Sequence, residues 1–216
     1  MSTVYDCSRP ESRASGLSAA ANTVRAGGLV VLPTDTVYGI GADAFDSNAV
    51  AALLAAKGRG RDMPVPVLVG SWSTLEGLVM SVPRSARALI EAFWPGGLSI
   101  VLPQAPSLSW DLGNTRGTVN LRMPLHPVAL ELLREVGPMA VSSANRSGLP
   151  AAATAGEAEE QLGDSVSIYL DAGPSGEPVA STIVDLTQGQ PRVLREGAVP
   201  LAELSEVLGV EVEPAS

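Results

Sequence analysis

The residues of this chain able to do chemistry are mostly hydroxyls, one asparagine amide and a set of cations. They gather where apolar runs give way to glycine-containing stretches. Thr34 and Thr36 lie in Pro33–Gly39, Lys57, Arg59 and Arg61 alternate with glycines, and Arg122 and Arg195 each close a short apolar run. Ser143 and Asn145 belong to Ser142–Gly148, and Ser181 precedes Thr182-Ile183-Val184. Arginine offers a planar fork for carboxylate or phosphate, and lysine a compact charge for phosphate. Hydroxyls, an amide and glycine-flanked N–H groups supply further donors. This inventory is poor in acid–base groups and rich in anion binders. It suits phosphoryl or nucleotidyl transfer, where positioning and charge stabilisation dominate.

On charge pattern alone, Lys57, Arg59 and Arg61 also fit a solvated loop. Arg122 and Arg195 are different, because an unpaired arginine at the end of an apolar strand is costly. Each requires either a buried acidic partner or an anionic ligand.

Other chemistries are excluded by what the chain lacks. Its one cysteine, Cys7, permits no internal disulfide and no Cys-rich zinc site. Its one histidine, His126, stands in Pro124-Leu125-His126-Pro127 and reads as a turn residue before a helix. No G-x-S-x-G accompanies it, which argues against a hydrolase triad. No G-x-x-x-x-G-K-[ST] occurs either. Gly39-Ile40-Gly41-Ala42-Asp43-Ala44 formally fits the dinucleotide fingerprint, but Pro33 and five further residues separate it from the preceding apolar run, so the match is read as accidental. The net charge of −9 leaves no broad electrostatic footprint for nucleic acid, so an anion site must be a local cluster. Of the 14 basic residues only Lys57 is a lysine, consistent with a specific need for an ammonium there. No apolar run approaches the roughly 20 residues of a membrane span, and the N-terminus has no signal pattern; a cytoplasmic protein is expected.

These groups must be positioned by alternating helices and strands. Helical spacing runs from Ser15 to Ala26 and ends at Gly27-Gly28; Leu29–Leu32 reads as a buried strand. Asp46 or Ser47 caps a helix that stops at Lys57-Gly58. Strands are predicted over Val65–Val69, Leu98–Leu102, Thr118–Met123, Met139–Val141, Ser167–Leu170, Thr182–Leu186 and Arg192–Leu194. Further helices run from Pro83 to Phe93, Val128 to Val136, beyond Thr154, and Leu201 to Leu208; Ser73 with Glu76 suggests a short capped one. Residues 103–117 read as a mobile loop. The expected organisation is a flexible arm at 1–14, one α/β domain at 15–209 with a twisted mixed sheet flanked by helices around a concave cleft, and a polar tail at 210–216.

The ordered motifs resemble those of the YrdC-like threonylcarbamoyl-AMP synthases. Pro33–Gly39 is similar to P-T-[DE]-T-x-Y-G, Lys57-Gly58-Arg59 to K-x-R, and Val119–Pro124 to V-x-x-R-x-P followed by His-Pro. Ser143–Gly148 matches S-A-N-x-S-G, Ser181–Asp185 matches S-T-[IV]-[IV]-D, and Leu194–Gly197 matches L-R-x-G. The resemblance implies condensation of L-threonine, bicarbonate and ATP to threonylcarbamoyl-AMP and pyrophosphate, for threonylcarbamoyladenosine at tRNA position 37. It implies that Thr34, Arg122 and Ser181 contact threonine and that Lys57, Arg59, Ser143, Asn145 and Arg195 hold ATP. Lys57 and Arg59 then take the catalytic role, with Arg61 assisting at the phosphates. Mg2+ is expected on those phosphates rather than in a protein cage. Enzymes that transfer the threonylcarbamoyl group to tRNA are the implied downstream partners, with only weak direct tRNA binding and no membrane contact. Two departures from the family pattern stand out: Pro95-Gly96-Gly97-Leu98-Ser99 replaces P-G-P-x-T, and Gly60-Arg61 follows K-x-R where proline is usual. The C-terminal domain of longer relatives has no counterpart in the sequence. The alternative of another class is a non-catalytic RNA-binding module of the same fold; a carbamoyl-phosphate-handling domain, as in hydrogenase-maturation proteins, is disfavoured by the absence of flanking domains.

Overall fold

The computed structural model describes residues 2–176 and 179–215; Met1, Glu177, Pro178 and Ser216 lie outside that set. In chain order the elements are β1 (Thr3–Asp6), α1 (Pro10–Arg25), β2 (Val30–Leu32), β3 (Gly39–Asp43), α2 (Ser47–Lys57), β4 (Val67–Leu68), α3 (Leu75–Leu78), α4 (Arg84–Phe93) and β5 (Leu98–Pro103). There follow β6 (Thr118–Arg122), α5 (Pro127–Val136), β7 (Met139–Ser143), α6 (Ala155–Leu162), β8 (Ile168–Asp171), β9 (Thr182–Asp185), β10 (Arg192–Arg195) and α7 (Leu201–Leu208). The strands form one mixed sheet, ordered β1-β8-β2-β3-β7-β4-β6-β5-β9-β10.

Alternation along the strands assigns the two faces of the sheet. Val31, Ile40, Ala140, Val67, Leu121, Ile100 and Val184 pack with α2, α4, α6 and α7 in the larger core. Val30, Leu32, Met139, Val141 and Leu68 pack on the opposite face against α1 and α5. Those two helices cover only part of that face. Over β4, β6, β5 and β9 it opens into a cleft, which Leu68, Asn120, Arg122, Ser99 and Ile183 help to line.

Local signals explain the elements beside the cleft. Asp46 caps α2 by accepting from the N–H groups of Asn48 and Ala49, a device that contributes about 1 kcal/mol. Gly58, at φ 61°, ends the helix in a left-handed turn that aims the following residues back toward the sheet. Thr154 caps α6 through the Glu157 N–H, while the Glu157 carboxylate accepts from Ala153 N–H.

Several expectations are corrected. Of the arm expected at 1–14, the described residues 2–14 are not loose, and Met1 lies outside the described set. β1 pairs in parallel with β8, and α1 starts at Pro10, whose missing N–H costs nothing at a helix start. Partner strand β8 is more than 160 positions away in sequence, so local pattern carries no trace of this pairing. The tail is anchored as well: Val212 is buried, and Glu213 bonds along β10 through Val193 N–H and Pro191 C=O. Of Val65–Val69 only Val67–Leu68 is strand. The Ser73–Glu76 capping box does not form; Ser71 instead caps a short 3-10 turn at Trp72–Thr74.

The sequence pattern assigns no strand to Gly39–Asp43, yet this segment is a central strand. A Cβ at Gly39 would lie 2.6 Å from Val141 Cγ1, and one at Gly41 2.8 Å from Met139 Cε. These glycines therefore admit neighbouring side chains inside an antiparallel ladder and do not form a dinucleotide turn. Residues 103–117 are also tied down. Leu112 is buried, Trp110 stacks on Phe45 with ring centroids 5.4 Å apart, and Asn114 N–H bonds to Arg61 C=O.

Candidate active site

The cleft encloses about 260 Å³. Thr34, Arg59, Arg122, Ser143, Ser181 and Arg195 line it, so six of the residues picked from sequence converge from widely separated positions. Lys57, Arg61 and Asn145 are not in the lining.

Arg122 is the most constrained cation. It leaves β6 nearly buried and donates from Nε to Gly96 C=O at 2.9 Å, from Nη1 to Thr36 Oγ1 at 2.9 Å and from Nη2 to Asp35 Oδ1 at 2.6 Å. Asp35 also accepts from Leu125 N–H at 2.9 Å. Thr34 Oγ1 donates to Val37 C=O at 2.6 Å and lies 3.1 Å from Thr36 Oγ1. The Pro33–Gly39 loop thus braces the guanidinium, and the remaining N–H groups of Arg122 are available to a ligand. Burial weakens the guanidinium's hold on its proton, while Asp35 opposes that effect.

Arg195, from the end of β10, donates through Nε and Nη2 to Ser181 C=O and through Nη2 to Ser181 Oγ at 2.9 Å. Ser181 Oγ lies 3.0 Å from Ser99 Oγ. This accommodates the Gly97-Leu98-Ser99 departure: serine at 99 joins the hydroxyl pair. A Cβ at Gly97 would lie 2.6 Å from Ala198 Cβ, so glycine permits close approach there. Burial and then the positive fields of Arg122 and Arg59 lower Arg195's proton affinity. Three guanidinium groups therefore surround one concavity, and among the described residues Arg122 is the one of the three with an ion-paired carboxylate, Asp35, which stands behind the lining.

Arg59 extends from the turn after α2. Its Nη1 donates to Ser142 Oγ at 3.0 Å, and its Nε and Nη2 donate to the carbonyls of Met63 and Pro64. Arg61 points elsewhere. It forms a two-pronged pair with Asp111 at 2.7 and 2.9 Å, largely in solvent, where a carboxylate in residues 103–117 competes for it.

Lys57 has turned inward. It is 2% exposed, and its ammonium donates to Ser143 C=O, to Asn145 C=O at 2.7 Å and to Asn145 Oδ1 at 3.3 Å. Asn145 Nδ2 in turn donates to the carbonyls of Arg146 and Leu149. The pair stands behind the cleft wall and fixes the loop that presents Ser143. Burial pushes the Lys57 ammonium down to about 8, with Arg59 adding to the shift.

Sequence reasoning gave no site role to Asp35, Ser99 and Asn120, whereas Thr36 and Ser142 lie in the two loops it singled out. Period-two spacing would have found Asn120, which precedes Arg122 by two residues. His126, the remaining group with acid–base capacity in sequence, stands just before α5 and outside the lining.

The Sua5/YciO/YrdC family model, described as telomere recombination, matches residues 22–197. The chain belongs to the Sua5/YciO/YrdC family. A Mycobacterium tuberculosis protein named "Putative threonylcarbamoyl-AMP synthase" is 67% identical over 211 residues, covering 98% of this chain and 97% of that protein. The threonylcarbamoyl-AMP synthase of Pyrococcus abyssi is 39% identical over 198 residues, 91% of this chain and 58% of its own length. The crystal structure of P. abyssi Sua5 complexed with L-threonine superposes with a TM-score of 0.88 at 39% identity, covering 92% of this chain and 58% of that one. E. coli YciO superposes at 0.81 with 26% identity, covering 93% and 98%. The mixed sheet with flanking helices is thus the family's fold, and the cleft lined by Arg59, Arg122 and Arg195 lies within the matched span of this Sua5/YciO/YrdC chain.

Proposed function

We propose that this chain is an L-threonylcarbamoyladenylate synthase, a nucleotidyltransferase that condenses L-threonine, bicarbonate and ATP to threonylcarbamoyl-AMP and pyrophosphate. The observation that carries this reading is the convergence of Arg59, Arg122 and Arg195 on one cleft whose lining holds hydroxyls and an amide but no carboxylate. That chemistry suits two anions bound side by side, a triphosphate and an amino acid.

Arg122, held flat by Gly96, Thr36 and Asp35, is oriented to clamp the amino-acid carboxylate. Ser181 presents its hydroxyl beside Arg195. Arg59 and Arg195 face the nucleotide phosphates. The threonine amine and bicarbonate yield a carbamate with loss of water. One carbamate oxygen then attacks the α-phosphorus as the bond to the departing pyrophosphate breaks. Positive charge stabilises that leaving group, and no protein nucleophile is needed. Lys57 and Asn145 act by holding the Ser143 loop.

Magnesium enters this reading as part of the nucleotide. Among the described residues no group of three or more His, Cys, Asp or Glu is arranged to hold a metal ion, so the ion would ride on the phosphates. The labile product would pass to enzymes that transfer the threonylcarbamoyl group to tRNA. Among the described residues no helix is long and apolar enough to cross a membrane.

The test is ATP turnover to pyrophosphate with threonine and bicarbonate each omitted in turn. Turnover requiring both supports the reading; turnover indifferent to threonine overturns it. Tight, steeply salt-dependent tRNA binding without turnover would favour the RNA-binding alternative.

A further inference from the structure

Asn120 occupies a position in the cleft that the assigned roles leave unexplained. Along β6, Val119 and Leu121 point into the larger core, so Asn120 and Arg122 share the cleft face of the sheet. The buried Oδ1 of Asn120 has no hydrogen-bond partner among the described residues. Leaving such an acceptor buried and unpaired costs about 1–3 kcal/mol, so the chain forgoes stability to keep it there. An apolar residue of similar size would remove that cost, as Val101 opposite it on β5 illustrates.

The surroundings constrain what it would meet. Arg122 two residues on is already braced and faces the carboxylate. Pro66, Leu68 and Ile183 contribute apolar surface to the same cleft. A neutral amide among apolar walls neither attracts nor repels a phosphate strongly. It reads a neutral N–H or O–H.

We propose that Asn120 is a substrate-recognition residue of the cleft floor, its side-chain amide rotating to turn the unpaired Oδ1 out of its buried position so that it accepts one neutral hydrogen-bond donor from a bound substrate. This rests on the reading of the cleft as a threonine and ATP site. Two sources carry such a donor: the hydroxyl of the amino acid, and the exocyclic amine of the adenine.

Calorimetric titration of the full chain separates them. L-Threonine and a non-hydrolysable ATP analogue are titrated individually into the wild type, Asn120→Ala and Asn120→Leu. The expected result is an affinity five- to ten-fold weaker for one ligand and unchanged for the other, the affected ligand identifying the source. Thermal midpoints of both variants should equal or exceed that of the wild type, because no bond within the chain is lost. Wild-type binding of both ligands with variant affinities within two-fold would overturn the Asn120 role while leaving the functional reading intact. A wild-type chain that binds neither ligand would overturn both.

Discussion

Asp35 and Arg122, 87 positions apart, meet through a 2.6 Å ion pair at the rim of the cleft. The aspartate comes from the loop after β2 and the arginine from the end of β6. With side chains only 16% and 8% exposed, the pair is short of water, and each charge depends on the other. Asp35 also takes the Leu125 N–H, so one carboxylate links the Pro33–Gly39 loop to the turn before α5. Asp35→Asn should lower stability by roughly 3 kcal/mol, because it leaves Arg122 without its counter-charge. Urea unfolding measures this; a loss below 1 kcal/mol would show that the pair does not hold the loop.

Arg122→Lys keeps the charge and removes the fork. Lysine cannot serve Gly96, Thr36 and Asp35 while also clamping a carboxylate. Threonine saturation should therefore require higher concentrations while ATP affinity is little changed. An unaltered threonine curve would place the carboxylate elsewhere.

Arg195→Ala removes a cation whose side-chain hydrogen bonds, among the described residues, go to Ser181 alone. ATP affinity should fall by about 1.5–3 kcal/mol, roughly 10- to 150-fold. Equilibrium binding of a non-hydrolysable analogue gives the number, and retained affinity would take Arg195 out of the nucleotide site.

Arg61→Ala should do little. Its pair with Asp111 is exposed, and such pairs contribute at most about 1 kcal/mol. ATP affinity within two-fold of wild type is the expected outcome. A larger loss would mean that Arg61 leaves Asp111 to reach the phosphates when nucleotide binds.

Lys57 gives a prediction in pH. The folded chain releases the Lys57 proton near pH 8, whereas the unfolded chain holds it to the ordinary value of 10.5. Between those values the unfolded state binds more protons, so this group makes stability rise with pH. Lys57→Met abolishes that contribution. It also strips the Ser143 and Asn145 carbonyls of their donor, at a cost of roughly 1–3 kcal/mol. Urea unfolding of both proteins at pH 7.5 and 10 should show wild type gaining on the variant at the higher pH. An equal gap at both values would show that the ammonium is not buried as described.

How much of this was legible beforehand depended on how local each signal was. The helix capped by Asp46 and stopped by Gly58 follows from residues within a turn of each other. So do α6, opened by Thr154, and α7. Strands β1 and β3 were hidden for opposite reasons. Thr3–Asp6 is a strand only because β8 lies beside it, and Gly39–Asp43 carries glycines that local propensity assigns to a turn. Those glycines make sense only once Val141 and Met139 are seen pressing against them. The 103–117 segment looked mobile because its anchors, Phe45 and Arg61, lie far back in the chain.

By itself the sequence determined the kinds of chemistry on offer: an arginine-rich, hydroxyl-rich inventory with a single histidine and a single cysteine, set in motifs whose order marks the family. It determined that Arg122 needed a partner, because charge at the end of a buried apolar strand cannot go uncompensated. The same expectation for Arg195 is corrected, since that residue is exposed on the edge strand β10 and bonds only to neutral Ser181 among the described residues. The tertiary structure alone decided which partner each has and which cation faces the ligand. Arg59 and Arg61 are two residues apart with nearly identical local context, yet one lines the cleft while the other pairs with Asp111 in solvent. Lys57 turns inward because three oxygen acceptors from the Ser143–Asn145 loop sit within reach of its ammonium. Competition among distant acceptors for a long side chain is settled by geometry in space, and spacing along the chain does not record it.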